Sequence, residues 1–326
     1  MERWTDSSAR NRREFIASLA ILAFVALLPL VMGNEYWRGV VIVSMYFAML
    51  AAAWNLLAGY TGQFSLAPAT FAMIGAYSTG LLSYYYNVPP LIGIFAAIVV
   101  AGLIGLLLGR IVLRLTGAYL ALTTLSFAEI MRLVISNSID ITRGDLGLNV
   151  PGLFNDRLAY YYLMLVVLTL TQVGLFFLLR TPAGLYLRAI RDDQIAAASR
   201  GVKVVLWKTN AFAISAAVSG LAGALYGHFA GLVSPELGLI AQTGIIISMA
   251  VIGGLGTLAG PLIGAFLVYV ASEYLRDFGG LQLIIFALLV IIFGRFFREG
   301  LWGLFSRYVL RTGIRRPALK DAVPEK

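Results

Sequence analysis

The sequence predicts an all-α fold: a polytopic transmembrane helical bundle of about ten segments, with broken or re-entrant elements and both termini cytoplasmic. Two observations carry the class. Hydrophobic residues make up 60% of the 326 residues and charged residues only 13%, far from the roughly 45 to 50% and 25% of soluble domains. The mean hydropathy is +0.86, and uncharged runs of about 20 residues recur from end to end, the length that crosses a bilayer. A third observation, the placement of basic residues, sets the orientation.

The apolar segments read in order as 15–32, 40–58, 66–86, 91–109, 118–135, 158–179, 211–233, 240–252, 258–275 and 281–297. The first has the basic flank of a signal peptide (Arg10, Arg12, Arg13) but no small-x-small cleavage site before Asn34, so it reads as a retained anchor. The eighth is too short for a hydrocarbon core of about 30 Å and runs into Gly253, Gly254 and Gly256, so segments eight and nine read as broken or re-entrant. This divides the chain into a cytoplasmic tail (1–14), a transmembrane domain (15–297) and a basic cytoplasmic tail (298–326). Within the domain, 180–208 is the long inside connection and 136–157 the long outside one. Basic residues crowd the N-terminal tail, Arg110 and Arg114, the 180–208 connection and the C-terminal tail, whereas the outside stretches hold Arg38, Arg143, Arg157 and Arg276. Positive-inside topology explains this asymmetry and the +9 net charge without nucleic-acid binding.

Soluble enzyme chemistry is largely excluded. The chain has no cysteine and one histidine, which removes thiolate nucleophiles and the paired-histidine metal patterns; no cofactor and no catalytic residue is expected. Gly223, Gly227 and Gly231 form a tandem GxxxG whose expected part is helix packing, as is that of Gly102, Gly105 and Gly109. His228, between two of these glycines, reads as a hydrogen-bonded packing residue rather than a proton relay. Glu129 with Arg132, and Glu273 with Arg276, stand three apart on helical segments, where each pair neutralises itself. Glu129 lies deeper in its segment and is also a candidate for the wall of a translocation route.

Two glycine-rich breaks stand out, Gly59-Tyr-Thr-Gly62-Gln63-Phe-Ser65-Leu-Ala-Pro68 and Gly253-Gly254-Leu-Gly256-Thr-Leu-Ala-Gly260-Pro261. Each frees backbone polar groups, which at membrane depth must be buried in protein or line a wet cavity, so both are candidate edges of a route; the alternative is a tight cytoplasmic turn. In the inside connection, Arg188-Ala-Ile-Arg191-Asp192-Asp193-Gln194-Ile-Ala196-Ala197-Ala-Ser-Arg200-Gly201 reads as a short helix capped by Asp192 or Asp193 and stopped by Gly201. Its small side chains and flanking charges suit docking into a partner's groove.

That stretch resembles the EAA-xxx-G loop of ABC importer permeases, with Ala196, Ala197 and Gly201 in register and Ile195 where the motif has Glu. Asp192-Asp193-Gln194-Ile-Ala-Ala is similar to the version in branched-chain amino acid permeases. So are Asn55-Leu-Leu-Ala-Gly59-Tyr-Thr-Gly62-Gln63-Phe-Ser65, the segment from Ala211 to Tyr226, and Val251-Ile-Gly-Gly-Leu-Gly-Thr-Leu-Ala-Gly-Pro-Leu-Ile-Gly264. The resemblance covers nearly the whole chain and favours one of the family's two permease paralogues. It implies a bacterial inner-membrane heterodimer with a second permease, two cytoplasmic ABC ATPase subunits that hydrolyse the ATP, and an extracytoplasmic solute-binding protein. It also implies that Arg188, Arg191, Asp192, Asp193, Gln194, Ala196, Ala197 and Gly201 couple to the ATPases. The chain itself has no GxxxxGK[ST] loop: none of Lys203, Lys208, Lys320 and Lys326 follows a glycine. One departure bears on the solute. The paralogue commonly reads Ser-Leu-Gly-His-Ala after Gly-Gln, whereas Leu66-Ala67-Pro68-Ala69 follows Ser65 here, so urea, amides and aromatic acids stay open beside branched-chain amino acids. The other readings are an ion-coupled secondary transporter, for which Glu129 and Glu273 are the candidate coupling groups, and an intramembrane enzyme, for which no nucleophile and base can be assembled.

Overall fold

The computed structural model describes residues 2–31, 33–115, 117–276 and 300–310, with residues 288 and 291. The chain is an all-α membrane-type fold in which, among the described residues, six helices are long and apolar enough to cross a bilayer. In order the helices are α1 (Glu2–Val31), α2 (Glu35–Asn55), α3 (Pro68–Tyr86), α4 (Pro90–Val112), α5 (Ala118–Asn137), the short α6 (Ile139–Thr142), α7 (Arg157–Arg180), α8 (Pro182–Asp192), α9 (Gln194–Ser199), α10 (Val204–Ala230), α11 (Ile240–Gly253) and α12 (Gly260–Tyr274), followed by a further helix at Gly300–Leu310. Of the expected segment 281–297 only residues 288 and 291 are described, so the segment as a whole lies outside the described residues.

Sequence decides the layering. α2 is apolar on every side, and 94% of its hydrophobic window is buried, as befits a helix with no polar face to show. It packs against α12, α7, α10 and α11. The most extensive contact joins α10 to α4 and α3, where small residues let the backbones approach: Gly102 faces Ala217, Gly105 faces Ala216 and Gly109 faces Thr209. α5 is the least covered of the long helices, burying only Leu120, Thr124, Ala128 and Ile135.

Contacts sort the helix ends into two sets. At one end, Glu14 of α1 accepts a hydrogen bond from the Leu258 backbone N–H at 3.0 Å, and Phe15 stacks on Phe176 of α7. The connection α8–α9 lies at this end. At the other, β1 (Leu148–Asn149) pairs antiparallel with β2 (Leu232–Val233), Tyr85 donates to the carbonyls of Asp140 and Ile141, and Trp37 meets Tyr274. His228 joins three elements there, one ring nitrogen 2.7 Å from Thr79 Oγ1 and the other 2.7 Å from the Pro151 carbonyl oxygen. This is the packing part its sequence position suggests.

Four boundaries differ from expectation. α10 begins at Val204 rather than 211, because Lys208, assigned to the inside connection, buries its stem and donates from Nζ to Gln194 Oε1 at 3.0 Å. The 136–157 connection is not featureless: it carries α6 and β1. Gly59 and Tyr60 belong to a π-helical turn (Leu56–Tyr60) that continues α2, so the first break is shorter than the sequence suggests. The fourth is the leg before α11: β2 and the 3₁₀ turn Pro235–Gly238 pack against α3, with Gly238 opposite Met73. The 14 residues of α11 reach only about 21 Å, and the leg before it is covered by protein rather than left open.

Candidate functional site

The two glycine turns meet, joined by contacts between residues 201 and 202 apart in sequence. Asn55, at the end of α2, donates from Nδ2 to the Thr257 carbonyl at 2.8 Å and accepts from the Gly256 N–H through Oδ1, also at 2.8 Å. A Cβ on Gly59 would lie 2.9 Å from Gly256 Cα, so that close approach needs glycine on both sides. Gly253 abuts Gly260 and Gly264, and Gly254 abuts Gly300. The backbone groups freed by the turns are taken up one by one. Trp54 Nε1 donates to the Ser65 carbonyl, Thr61 Oγ1 to the Leu57 carbonyl and Thr257 Oγ1 to the Gly254 carbonyl, while Thr124 Oγ1 accepts from the Leu66 N–H. Gly62 has φ +69. Gln63 and Ser65 are buried, and the Gln63 amide makes no hydrogen bond among the described residues.

The 180–208 connection folds into two helices with different outlooks. α8 starts at Thr181 with Pro182 in its first turn and buries Leu187 and Ile190. Its basic residues turn toward the glycine turns: Arg188 lies over the Tyr60 ring, 5.6 Å from its centroid, and Arg191 Nη1 donates to the Gly59 carbonyl at 2.7 Å. α9 faces outward. Asp193, rather than Asp192, is its N-cap, accepting from the N–H groups of Ile195 (2.8 Å) and Ala196 (3.1 Å). At its end Val202 N–H bonds the Ala197 carbonyl and Gly201 N–H the Ala198 carbonyl, the paired closure of a Schellman motif, with Gly201 at φ +84. Ile195 is 84% exposed and Ala196 exposed, while Ala197 is buried and Gln194 is held by Lys208. The sequence-picked residues thus separate: Asp193, Gln194, Ala197 and Gly201 build α9, Arg188 and Arg191 join it to the turns, and Asp192 sits exposed between them.

The residue matches extend over most of the chain. The pattern described as "Branched-chain amino acid transport system / permease component" covers residues 37–293. The chain belongs to this permease family. Among relatives of the permease, the high-affinity branched-chain amino acid transport system permease protein LivM of Escherichia coli K12 is 32% identical over 323 residues, covering 88% of this chain and 74% of LivM. LivM of Salmonella typhimurium is 31% identical with the same coverage. LivH of Salmonella typhimurium, a permease protein of the same transport system by name, is 25% identical over 289 residues, covering 79% of this chain and 93% of LivH. No solved structure matches the chain. The permease is thus a multi-pass membrane transport protein rather than an enzyme.

The remaining expected residues are placed as follows. Gly223 and Gly227 pack α10 on α3, against Ala72 and Ala76. Gly231 does not pack: it follows the last turn of α10 at φ +73 with open space where a Cβ would stand, so it ends the helix. Glu129 does not reach the glycine turns. Both its carboxylate oxygens accept from Arg132 Nε, at 3.1 and 3.2 Å, and the pair sits half-exposed on the flank of the uncovered α5 face. Such a pair satisfies itself. Glu129→Gln is expected to lower the amount of assembled protein roughly two- to fivefold, the size of a screened, half-exposed pair, and Glu129→Gln with Arg132→Met to recover most of it. Quantitative membrane assembly assays check this; normal assembly with lost transport would instead put Glu129 in the route.

Two side chains that tie distant segments together escaped the sequence reading. Asn55 carried a signal, a lone amide ending an apolar run just before a glycine turn. Glu14 carried a weaker one, an acid just outside the first apolar run, and its burial is visible only in three dimensions.

Proposed function

We propose that the permease is one of two non-identical membrane subunits of an ATP-driven ABC importer of branched-chain amino acids, in the bacterial inner membrane. The observation that carries this reading is the build of the inside connection: a short capped helix, α9, presented outward beside a second, α8, whose arginines reach the glycine turns. A self-contained transporter has no use for an outward docking helix tied so directly to a membrane turn. ATP is hydrolysed by a pair of ATPase subunits docked on α9, and a solute-binding protein delivers from outside. The similarity to proteins named both LivM and LivH favours a pair of related permeases, and the uncovered face of α5, which mixes Thr123 and Ser126 with apolar residues, suits the boundary of a route between them better than lipid. In this reading ten segments cross, both termini are cytoplasmic, and the turns 59–68 and 253–260 border the route on the cytoplasmic side. The alternation of described helix ends and the basic residues near α8 and α9 support that orientation.

The experiment is reconstitution into liposomes, the permease alone or with its second permease, ATPases and binding protein. Labelled leucine is expected to accumulate only in the complete assembly and only with ATP inside the compartment that holds α9. Accumulation by the lone permease, driven by an ion gradient, would replace this reading with a secondary transporter.

A further inference from the structure

In the sequence, Arg191 belongs to a segment whose expected partner is outside the membrane. In the fold its side chain turns the other way. Its Nη1 donates to the Gly59 carbonyl at 2.7 Å. The helix of which Gly59 is part ends at Tyr60, so this carbonyl is among the last ones, which have no donor within their own helix. The stem of Arg191 lies where a side chain on Gly62 would stand, 3.1 Å from Cγ, and its Nη1 stands 3.1 Å from the place a Cβ of Gly256 would take. One glycine from each turn, Gly62 and Gly256, therefore leaves the space that one arginine fills.

We propose that Arg191 is the positioning residue that carries movement of the docking connection to the two glycine turns together. This rests on the reading of α9 as the ATPase-docking helix. The links are short and stiff. α9 is joined to α8 through the Asp193 cap alone, with no free linker; Arg191 is the last arginine of α8; and Asn55 locks the first turn to the second through two hydrogen bonds. A pull on α9 thus reaches Gly59 through a charge-assisted hydrogen bond and Gly256 through the Asn55 lock. A guanidinium suits the task better than an ammonium. Its planar fork holds a carbonyl with one arm while the other points at Asp192, 3.5 Å away. With 41% of its side chain exposed, Arg191 is not an internal brace of the core.

The test uses the complete reconstituted transporter, in which ATP-dependent uptake by the unmodified protein is established first; absence of that uptake counts against the importer reading, not against Arg191. The chain has no native cysteine, so Leu255→Cys, at a 45% exposed position in the second turn, reports the turn's exposure through its rate of thiol labelling. With Arg191 intact, nucleotide is expected to change that rate. With Arg191→Met, hydrolysis is expected to continue while uptake per ATP falls at least about tenfold, the effect of one lost charge-assisted hydrogen bond, and the nucleotide-dependent change in labelling disappears. Arg191→Lys, which keeps charge but not the fork, is expected to show a smaller loss of the same kind and serves as the reading should Arg191→Met not assemble. The proposal is overturned if nucleotide changes labelling in the variant that assembles as much as in the unmodified protein, or if uptake and hydrolysis fall in proportion, as loss of a merely structural contact would produce.

Discussion

Gly223→Val is expected to abolish assembly of the permease, the largest effect of any substitution in the α10 glycine series. A Cβ on Gly223 would stand 2.5 Å from the Ala72 carbonyl carbon and closer still to its oxygen. The obstacle is the backbone of α3, which cannot step aside by changing rotamer, so α3 and α10 would have to separate along their most intimate contact. The surrounding glycines make that separation costly. Gly75 meets the Gly220 backbone and Gly220 meets Ala101 on α4, so a shift at Gly223 opens three helices at once. Overpacking of an ordinary core costs about 1 to 3 kcal/mol; a backbone-to-backbone clash has no comparable relief. The neighbours rank below it for stated reasons. At Gly227 the nearest atom is a methyl of Val233, 2.8 Å away, which can move; at Gly231 there is open space, and only the left-handed backbone, worth roughly 1 to 2 kcal/mol, opposes a side chain. Alanine at the three sites, followed by monodisperse yield and thermal midpoint in detergent, should therefore give losses in the order Gly223, Gly227, Gly231. Equal losses at all three would show that the face acts as a uniform stripe.

Asn55→Leu is the second. The substitution keeps the branched outline of the side chain and removes both hydrogen bonds that join the glycine turns, leaving the Gly256 N–H and the Thr257 carbonyl without these partners in a site where Asn55 is 2% exposed. Each buried, unsatisfied group costs about 1 to 3 kcal/mol, so the expected loss is about 2 to 6 kcal/mol, concentrated at the junction rather than spread through the bundle. Limited proteolysis should find the 253–260 turn newly susceptible, and the thermal midpoint should fall. If both stay at the level of the unmodified protein, the turns are held by their glycine contacts and the amide is incidental.

Much of the permease was legible locally. Membrane class, most helices and the short eighth segment follow from apolar runs, because a run of about 20 uncharged residues is itself the physical requirement for crossing. The short helix α9 was legible for the same kind of reason: cap, helix and left-handed stop occupy 193–201, and each bond that builds them spans a few residues. Glu129 and Arg132 likewise pair within one turn.

What the sequence alone determined is therefore everything whose partner lies within about a turn of helix or is the solvent itself. The tertiary structure alone decided which groups meet across distance. It put Asn55 against Gly256, Glu14 against Leu258 and Arg191 against Gly59; it made Gly223 a contact and Gly231 a helix end; and it drew Lys208 into α10. The physical reason is that a polar group freed by a break demands some partner but does not specify one. A glycine likewise permits close approach, left-handed backbone or neither, and only the packing of the neighbouring helices selects among them.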